Sequence, residues 1–139
     1  MDPVNPYRSP QPETSAESYV ESDIFRGTTL SWFVDRYVFY VPEIAEVVPQ
    51  AIAFYEATKA HVISQAPLTF WRGNLWSTLL GPERYARQRI VINTDTDEHR
   101  VGVEYHINMV LPTRLYYHSQ REVFRLATEL GATHRSDVA

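Results

Sequence analysis

Residues 87–94 have the sequence RQRIVINT and residues 99–109 have the sequence HRVGVEYHINM, and together they predict a β-hairpin. In the second segment, apolar residues occupy every odd position from Val101 to Met109, and polar residues or glycine occupy the even positions. Such a period of two is typical of a strand with one buried face. Residues 95–98, DTDE, favour side-chain-to-backbone hydrogen bonds over a continued ladder, so they are the predicted turn.

The same pattern predicts how the two strands pair. A four-residue loop is common in hairpins and gives the pairs Thr94–His99, Ile92–Val101, Ile90–Val103, Gln88–Tyr105, Arg89–Glu104, Arg87–His106 and Asn93–Arg100. In this register all the strong hydrophobes share one face, whereas a slip by one residue would mix apolar and polar positions. The hairpin therefore predicts a sheet with one face on a core and the other face exposed.

Three further segments precede the hairpin. Residues 29–41 are rich in aromatic and β-branched residues and stop before a proline, which predicts a buried strand. Apolar residues at spacings of three and four predict a helix over Pro42–Gln65, kinked or restarted at Pro49. Residues 67–80 fit a loop, a helix or a strand, with turn chemistry at Arg72-Gly73-Asn74.

The C-terminal part predicts a second helix. Ser119-Gln120-Arg121-Glu122 matches a capping box, and the apolar stripe that follows predicts a helix that stops at Gly131. Residues 114–117 fit a short further strand. Together these elements give an α+β fold, in which an antiparallel sheet of three or four strands packs against two main helices.

The chain is expected to form a single α+β domain over residues 23–135 behind a disordered tail, residues 1–22. A length of 139 residues is typical of one domain. The tail is rich in proline, serine and glutamate and cannot bury enough apolar surface to fold. Within it, residues 5–10, NPYRSP, resemble the short N-P-Y-x-S-P tails that begin many otherwise unrelated bacterial proteins, some of them membrane proteins. The resemblance covers this short stretch alone.

Composition narrows the classes of function. The net charge is −4, so we expect no nucleic-acid binding of the broad basic kind. No apolar run approaches the roughly 18 residues that a membrane span needs. No signal peptide is visible in the sequence, so we expect a cytoplasmic location. The absence of cysteine excludes disulfides, thiolate metal ligands and a cysteine nucleophile.

One candidate for chemistry lies on the polar face of the predicted hairpin. Glu104 and His106 share that face, and a carboxylate beside an imidazole can set up a general base. The alternative is an ordinary exposed polar face, on which Arg89 neutralises Glu104 across the strands.

The acidic turn is a candidate for calcium. Positions 1, 3, 5 and 12 of an EF-hand loop correspond to Asn93, Asp95, Asp97 and Glu104. However, Glu98 replaces the glycine that the loop requires, and the flanking segments are strands rather than helices. His99 and His106 face opposite sides of one strand, so they do not converge on a metal. We therefore expect no metal site and no bound cofactor.

Aromatic and arginine residues concentrate around the turn predicted at residues 72–74. Loops often carry function, large exposed aromatic side chains are costly, and Trp, Tyr and Arg are enriched at interfaces. The candidate ligand or interface residues are therefore Phe70, Trp71, Arg72, Trp76, Tyr85, Arg87 and Arg89. The alternative is a cap on the core beside a solvated arginine-rich face.

The motifs of the commonest enzyme classes are absent from the sequence: it has no glycine-rich phosphate loop, no G-x-S-x-G elbow and no H-E-x-x-H helix. We therefore expect a non-catalytic, small soluble binding or protein-interaction module that forms a homo-oligomer or binds another protein. The first alternative is a small hydrolase-type enzyme that uses Glu104 and His106, with Arg87 and Arg89 as an anion clamp. The second is a soluble partner that docks on a membrane protein through its tail.

Overall fold

Six antiparallel strands form one sheet in the computed structural model, which describes residues 18–27, 32–73, 87–108 and 118–137. The strands are β1 (Glu21–Gly27), β2 (Trp32–Tyr40), β3 (His61–Gln65), β4 (Leu68–Arg72), β5 (Gln88–Asp95) and β6 (Arg100–Asn108). Their order across the sheet is β1-β2-β6-β5-β4-β3. The helices of the described residues are α1 (Val47–Ala57) and α2 (His118–Glu129), with short 3-10 turns at Ile44–Glu46 and Arg135–Asp137.

The predicted α+β class and the antiparallel sheet are confirmed, but the sheet has six described strands rather than three or four. Three observed strands, β1, β3 and β4, are not among the strands predicted from the sequence. β4 settles part of the ambiguous segment 67–80, whose residues 74–80 lie outside the described residues. The short strand predicted at residues 114–117 also lies outside them.

The helix predicted over Pro42–Gln65 is wrong in its length. α1 covers Val47–Ala57, and Pro49 lies in its first turn, where the helix needs no N–H donor and proline causes no kink. The helix ends before Lys59, which has a left-handed backbone conformation with φ of 71° and turns the chain back. The remaining residues, His61–Gln65, pair with β4 as the edge strand β3.

The hairpin of β5 and β6 is confirmed, but its register differs by two residues from the predicted one. The observed pairs include Asp95–Arg100, Ile92–Val103, Ile90–Tyr105 and Arg89–His106. A shift of two keeps every side chain on its predicted face, because side chains alternate with a period of two. The loop sets this register, since Asp95 Oδ1 accepts the N–H groups of Asp97 at 3.1 Å and Glu98 at 3.2 Å and moves the loop to residues 96–99.

One face of the sheet and both helices enclose the hydrophobic core. The inward side chains come from alternate residues of the strands and from one stripe of each helix. The largest of them include Tyr37, Phe39, Tyr55, Phe70, Ile90, Tyr105 and Leu126. We call the opposite face of the sheet, on which neither helix packs, the outer face.

The C-terminal helix stops where the sequence predicts. α2 ends at Glu129, and Gly131 has a left-handed conformation with φ of 73°. The N–H of Ala132 reaches back to the carbonyl of Ala127 at 2.9 Å, which satisfies the end of the helix. Neither α1 nor α2 in the described part of the chain has the length and apolar content to cross a membrane.

The N-terminal strand starts within the segment expected to be disordered. β1 begins at Glu21, and just before it the ring of Tyr19 packs edge-on against His134, with centroids 4.5 Å apart. Val20 packs against the core. Residues 1–17 lie outside the described residues.

Both edge strands of the described sheet are irregular. β1 shifts its register against β2 between Asp23 and Arg26. β3 shifts its register against β4 between Val62 and Ser64. Such bulges bend an edge strand and interrupt its regular ladder.

Candidate functional site

A group of polar side chains lies between the sheet and both helices, at the end of the sheet where β4 stops and β5 starts. Its centre is an ion pair between Arg72, the last residue of β4, and Glu122 of α2. The other members are Tyr55, Thr58, Gln88, Tyr105 and His118. We call this group the Arg72–Glu122 cluster.

The ion pair is bidentate and almost fully removed from water. Arg72 Nη1 donates to Glu122 Oε2 at 3.0 Å, and Nη2 donates to Oε1 at 2.8 Å. The two side chains are only 6% and 1% exposed. Arg72 also donates to Thr58 Oγ1 at 2.6 Å and to Gln88 Oε1 at 2.8 Å. These contacts fix the planar guanidinium group, as the fork geometry of arginine favours.

Two buried phenols extend the cluster toward α1. Tyr105 donates its hydroxyl hydrogen to Glu122 Oε1 at 2.6 Å. The hydroxyls of Tyr55 and Tyr105 are 2.8 Å apart, and because the Tyr105 proton is engaged, Tyr55 is the donor. Burial, followed by the nearby charge of Glu122, raises the pKa of Tyr55. Burial, followed by Tyr55 and Glu122, raises the pKa of Tyr105 as well.

Glu122 keeps its charge although it is buried. Burial is the largest influence and by itself raises the pKa of the carboxyl group. The hydrogen bonds from His118, Arg72 and Tyr105, together with the charge of Arg72, outweigh burial and lower the pKa of Glu122 from 4.5 to about 2. The same carboxylate raises the pKa of Arg72, although burial alone lowers it.

A second chain of buried hydrogen bonds ties the first turns of α2 to β2. Ser119 Oγ donates to Asp35 Oδ2 at 2.9 Å and accepts from the hydroxyl of Tyr37 at 2.8 Å. The capping box predicted at residues 119–122 is therefore wrong. Ser119 and Glu122 lie inside α2 and bind the sheet, rather than capping the helix.

The contacts of the Arg72–Glu122 cluster give it a structural role. The carboxylate of Glu122 is surrounded by donors and remains ionised, whereas the phenols of Tyr55 and Tyr105 remain protonated at neutral pH. A general acid or base needs a pKa near the working pH. These three groups therefore hold α1 and α2 on the sheet rather than exchange protons near neutral pH.

The lowered pKa of Glu122 makes the free energy of unfolding depend on pH. A carboxyl group whose folded pKa lies below its unfolded value stabilises the fold above the unfolded pKa, and this stability is lost as the pH falls through the folded pKa. For Glu122 that window runs from 4.5 down to about 2. The lowering corresponds to roughly 3 kcal/mol.

We therefore expect the gap in unfolding free energy between the wild type and Glu122→Gln to shrink steadily between pH 5 and pH 2. Urea denaturation at several pH values measures this gap. Glu129→Gln, an exposed change on the same helix, is the matched control, and its gap should stay near zero. A gap for Glu122→Gln that does not change with pH would contradict the lowered pKa.

Sequence reasoning misses the Arg72–Glu122 cluster, although the sequence contains a signal for it. Gln88 and Tyr105 lie on the apolar face of the hairpin, and Glu122 interrupts the apolar stripe of α2. A polar side chain at a position that periodicity assigns to the core needs a buried partner. Arg72, at an inward position of β4, is that partner.

The outer face carries a second candidate site, a row of four side chains on neighbouring strands. His61 pairs with Trp71, Trp71 with Arg89, and Arg89 with His106. His61 and Arg89 are exposed, whereas Trp71 and His106 are half-buried. We call these four residues the outer row.

Of the segment with turn chemistry at Arg72-Gly73-Asn74, Arg72 is the last residue of β4 and Asn74 lies outside the described residues, and the strand separates three of the predicted interface residues. Because Leu68–Arg72 is a strand, consecutive side chains point to opposite faces. Phe70 is fully buried in the core and Arg72 is buried in its ion pair, so neither offers a surface contact. Trp71, between them, lies in the outer row.

The remaining predicted interface residues also separate. Arg89 lies in the outer row beside Trp71. Arg87 precedes β5, and its Nη2 donates to Asn108 Oδ1 at 3.3 Å. Trp76 and Tyr85 lie outside the described residues.

Glu104 and His106, the predicted catalytic candidates, do contact each other. His106 Nε2 lies 3.2 Å from Glu104 Oε1, and both side chains are partly exposed on the outer face. The predicted pairing of Arg89 with Glu104 is wrong, because the observed register places Val91 opposite Glu104. The nearby cation is Arg36 of β2, whose Nε lies 3.9 Å from Glu104 Oε2.

An open hollow of about 530 Å³ lies at the other end of the outer face, beside the hairpin loop. The residues that line it include Val38, Asn93, Asp95, Asp97, Arg100 and Gly102. Gly102 leaves space here, because the nearest atom to a Cβ at this position would be the carbonyl oxygen of Asn93, at 3.9 Å. The lining is acidic, because it carries the carboxylates of Asp95 and Asp97 and only one guanidinium, that of Arg100. We call this region the acidic hollow.

The part of the chain that the structure describes contains no group of three His, Asp or Glu side chains arranged to hold a metal ion. In the acidic hollow, Asp95 Oδ1 accepts backbone N–H groups of the loop and Asp95 Oδ2 lies 3.5 Å from Arg100 Nη2. Both oxygens of the Asp95 carboxylate, one of the candidate calcium ligands, are thus already engaged.

No protein-family model, curated protein sequence or solved structure matches this chain.

Proposed function

We propose that this protein is a non-catalytic protein-interaction module that binds through the outer face of its sheet and associates with itself. The observation that supports the proposal is the outer row, in which a half-buried Trp71 lies beside an exposed Arg89 on the face that neither helix covers. Tryptophan and arginine are the residue types that most often dominate the energy of protein interfaces.

The setting of Trp71 favours binding. Its backbone is paired with β3 on one side and β5 on the other, so a partner would not have to order this part of the chain. Apolar surface continues along the same face at Val91 of β5, which is half-buried. An aromatic side chain with apolar surface beside it and charged side chains at its border is the usual composition of a small interface.

A small hydrolase-type enzyme is the second candidate function, and the contact of Glu104 with His106 favours it. In that case His106→Asn would abolish hydrolysis of an activated ester such as p-nitrophenyl acetate and leave association unchanged. If the protein is an interaction module, we expect neither the wild type nor His106→Asn to hydrolyse the ester faster than the uncatalysed rate. Activity that is present in the wild type and lost in His106→Asn would replace the first proposal by the second.

Trp71→Ala should shift the protein from dimer to monomer without changing its secondary structure. Truncation of a buried interface aromatic often costs about 2 kcal/mol in binding, which corresponds to roughly a thirty-fold change in the dissociation constant. Sedimentation velocity over a concentration series measures the shift, and far-UV circular dichroism checks the fold.

The matched control for this change is Val48→Ala, which truncates an exposed apolar side chain of α1 on the other side of the molecule. Its association should equal that of the wild type. A wild type that stays monomeric at the highest concentration would refute self-association. A Trp71→Ala variant that dimerises as well as the wild type would remove Trp71 from the interface.

A further inference from the structure

We propose that the partner of the outer face is a second copy of this chain, docked face to face so that the outer row of each copy enters the acidic hollow of the other. This inference rests on the proposed function and adds the orientation of the dimer. It is drawn from the position of the row and the hollow at opposite ends of one face.

The two ends of the face carry opposite charge. The outer row contributes the guanidinium of Arg89, and the acidic hollow contributes Asp95 and Asp97 against Arg100. Arg89 and Asp95 lie on the same side of β5, six residues apart, which is roughly 20 Å along a strand. Opposite charge at opposite ends makes the face complementary to an inverted copy of itself.

A two-fold axis satisfies both ends at once. In a symmetric dimer the same patch is used twice, so a contact of residue i with residue j is repeated as j with i. An axis that runs across the strands midway between the row and the hollow places Arg89 of each copy over the hollow of the other. The dimer would then contain two equal contacts between the row and the hollow.

The middle of the face is compatible with this arrangement. The charges nearest to the axis are Arg36 and Glu104, which already lie 3.9 Å apart within one copy and leave no net charge there. Shape agrees as well, since the hollow at Gly102 leaves space for an incoming side chain.

The orientation is tested by exchanging charges. Arg89→Glu makes the row acidic, and Asp97→Arg makes the hollow basic; both residues are exposed. Each variant alone would place like charges together at both contacts. In an equimolar mixture, however, a mixed dimer has opposite charges at both contacts. The introduced glutamate meets the introduced arginine at one contact, and the unchanged Arg89 meets the unchanged Asp97 at the other.

We expect each single variant to lose about tenfold or more in dimer affinity, and the mixture to recover to within about threefold of the wild type. Sedimentation velocity of the wild type, each variant and the mixture measures this, and circular dichroism confirms that each variant is folded. The controls are Arg121→Glu and Glu129→Arg, the same charge reversals at exposed positions of α2, which should dimerise normally alone and together.

Three outcomes would overturn the orientation. Variants that dimerise like the wild type would show that Arg89 and Asp97 lie outside the interface. A mixture that stays as weak as its components would show that the two residues do not meet. In both cases a dimer that still depends on Trp71 leaves the proposed function in place. A wild type that never dimerises refutes the orientation and the proposed self-association together.

Discussion

Arg72→Met should lower the unfolding free energy of the domain by about 3–5 kcal/mol, because it leaves the carboxylate of Glu122 buried without its cation. Few single changes in this chain should cost as much, and a loss of this size is a large fraction of the stability of a typical domain. Chemical denaturation with urea, followed by circular dichroism, measures it. Arg121→Met on the exposed side of α2 is the matched control and should change stability by less than about 0.5 kcal/mol.

The double variant Arg72→Met/Glu122→Leu separates two contributions to the unfolding free energy. One is the net contribution of the ion pair, and the other is the cost of removing only one of its partners. Apolar replacement of both charges removes the unpaired carboxylate, and such replacements are often neutral or stabilising in other proteins. Here Tyr105 and Gln88 would lose their partners, so we expect a partial recovery rather than a full one. A double variant less stable than Arg72→Met, or a cost below about 1 kcal/mol for Arg72→Met, would contradict the central place of the ion pair.

Tyr105→Asp should destabilise the domain far more than His106→Asp, although the two residues are adjacent in β6. Tyr105 is fully buried, so the change removes a core aromatic and places a second carboxylate beside Glu122; we expect a loss of at least about 4 kcal/mol. The side chain of His106 is 22% exposed on the outer face. Its replacement should cost about 1 kcal/mol or less.

If Tyr105→Asp leaves no folded protein to titrate with denaturant, Tyr105→Phe gives the measurable step. It removes only the hydroxyl that donates to Glu122 and accepts from Tyr55, and we expect a loss of about 1–3 kcal/mol. Equal effects of Tyr105→Asp and His106→Asp in urea denaturation would mean that both faces of β6 are equally buried.

The sequence predicts the hairpin well because a strand with one buried face leaves a clear period of two. It predicts correctly which residues of β5 and β6 face the core. The predicted register, however, differs from the observed register by two residues. The face depends on the parity of each residue, which the sequence shows directly. The register depends on one side chain, Asp95, which binds two N–H groups of the loop and shifts the loop by one residue.

The edge strand β3 could not be predicted in the same way. Residues 61–65 contain too few apolar side chains to separate a period of two from the end of a helical stripe. What ends α1 is the left-handed conformation of Lys59, and lysine carries no strong local preference for it. The strand exists because β4 offers it an edge to pair with, which is a tertiary cause.

The candidate sites show the same division between local and long-range causes. Arg72 and Glu122 are 50 residues apart, so their pairing depends on how α2 lies on the sheet. The outer row likewise joins β3, β4, β5 and β6, whose neighbours follow from the topology. The sequence does predict that Trp71 and Arg89 belong to one candidate surface. That they share a row with His106 follows only once β4 is known to be a strand.

The irregular edges of the sheet bear on misfolding. An edge strand carries unpaired N–H and C=O groups, and a straight edge can be extended by a strand from another molecule. Here β1 is bulged between Asp23 and Arg26, and the short β3 between Val62 and Ser64. Growth of a cross-β fibril from the native sheet would first have to remove one of these bulges. Release of an edge strand, rather than protein concentration alone, should therefore set the onset of ordered aggregation.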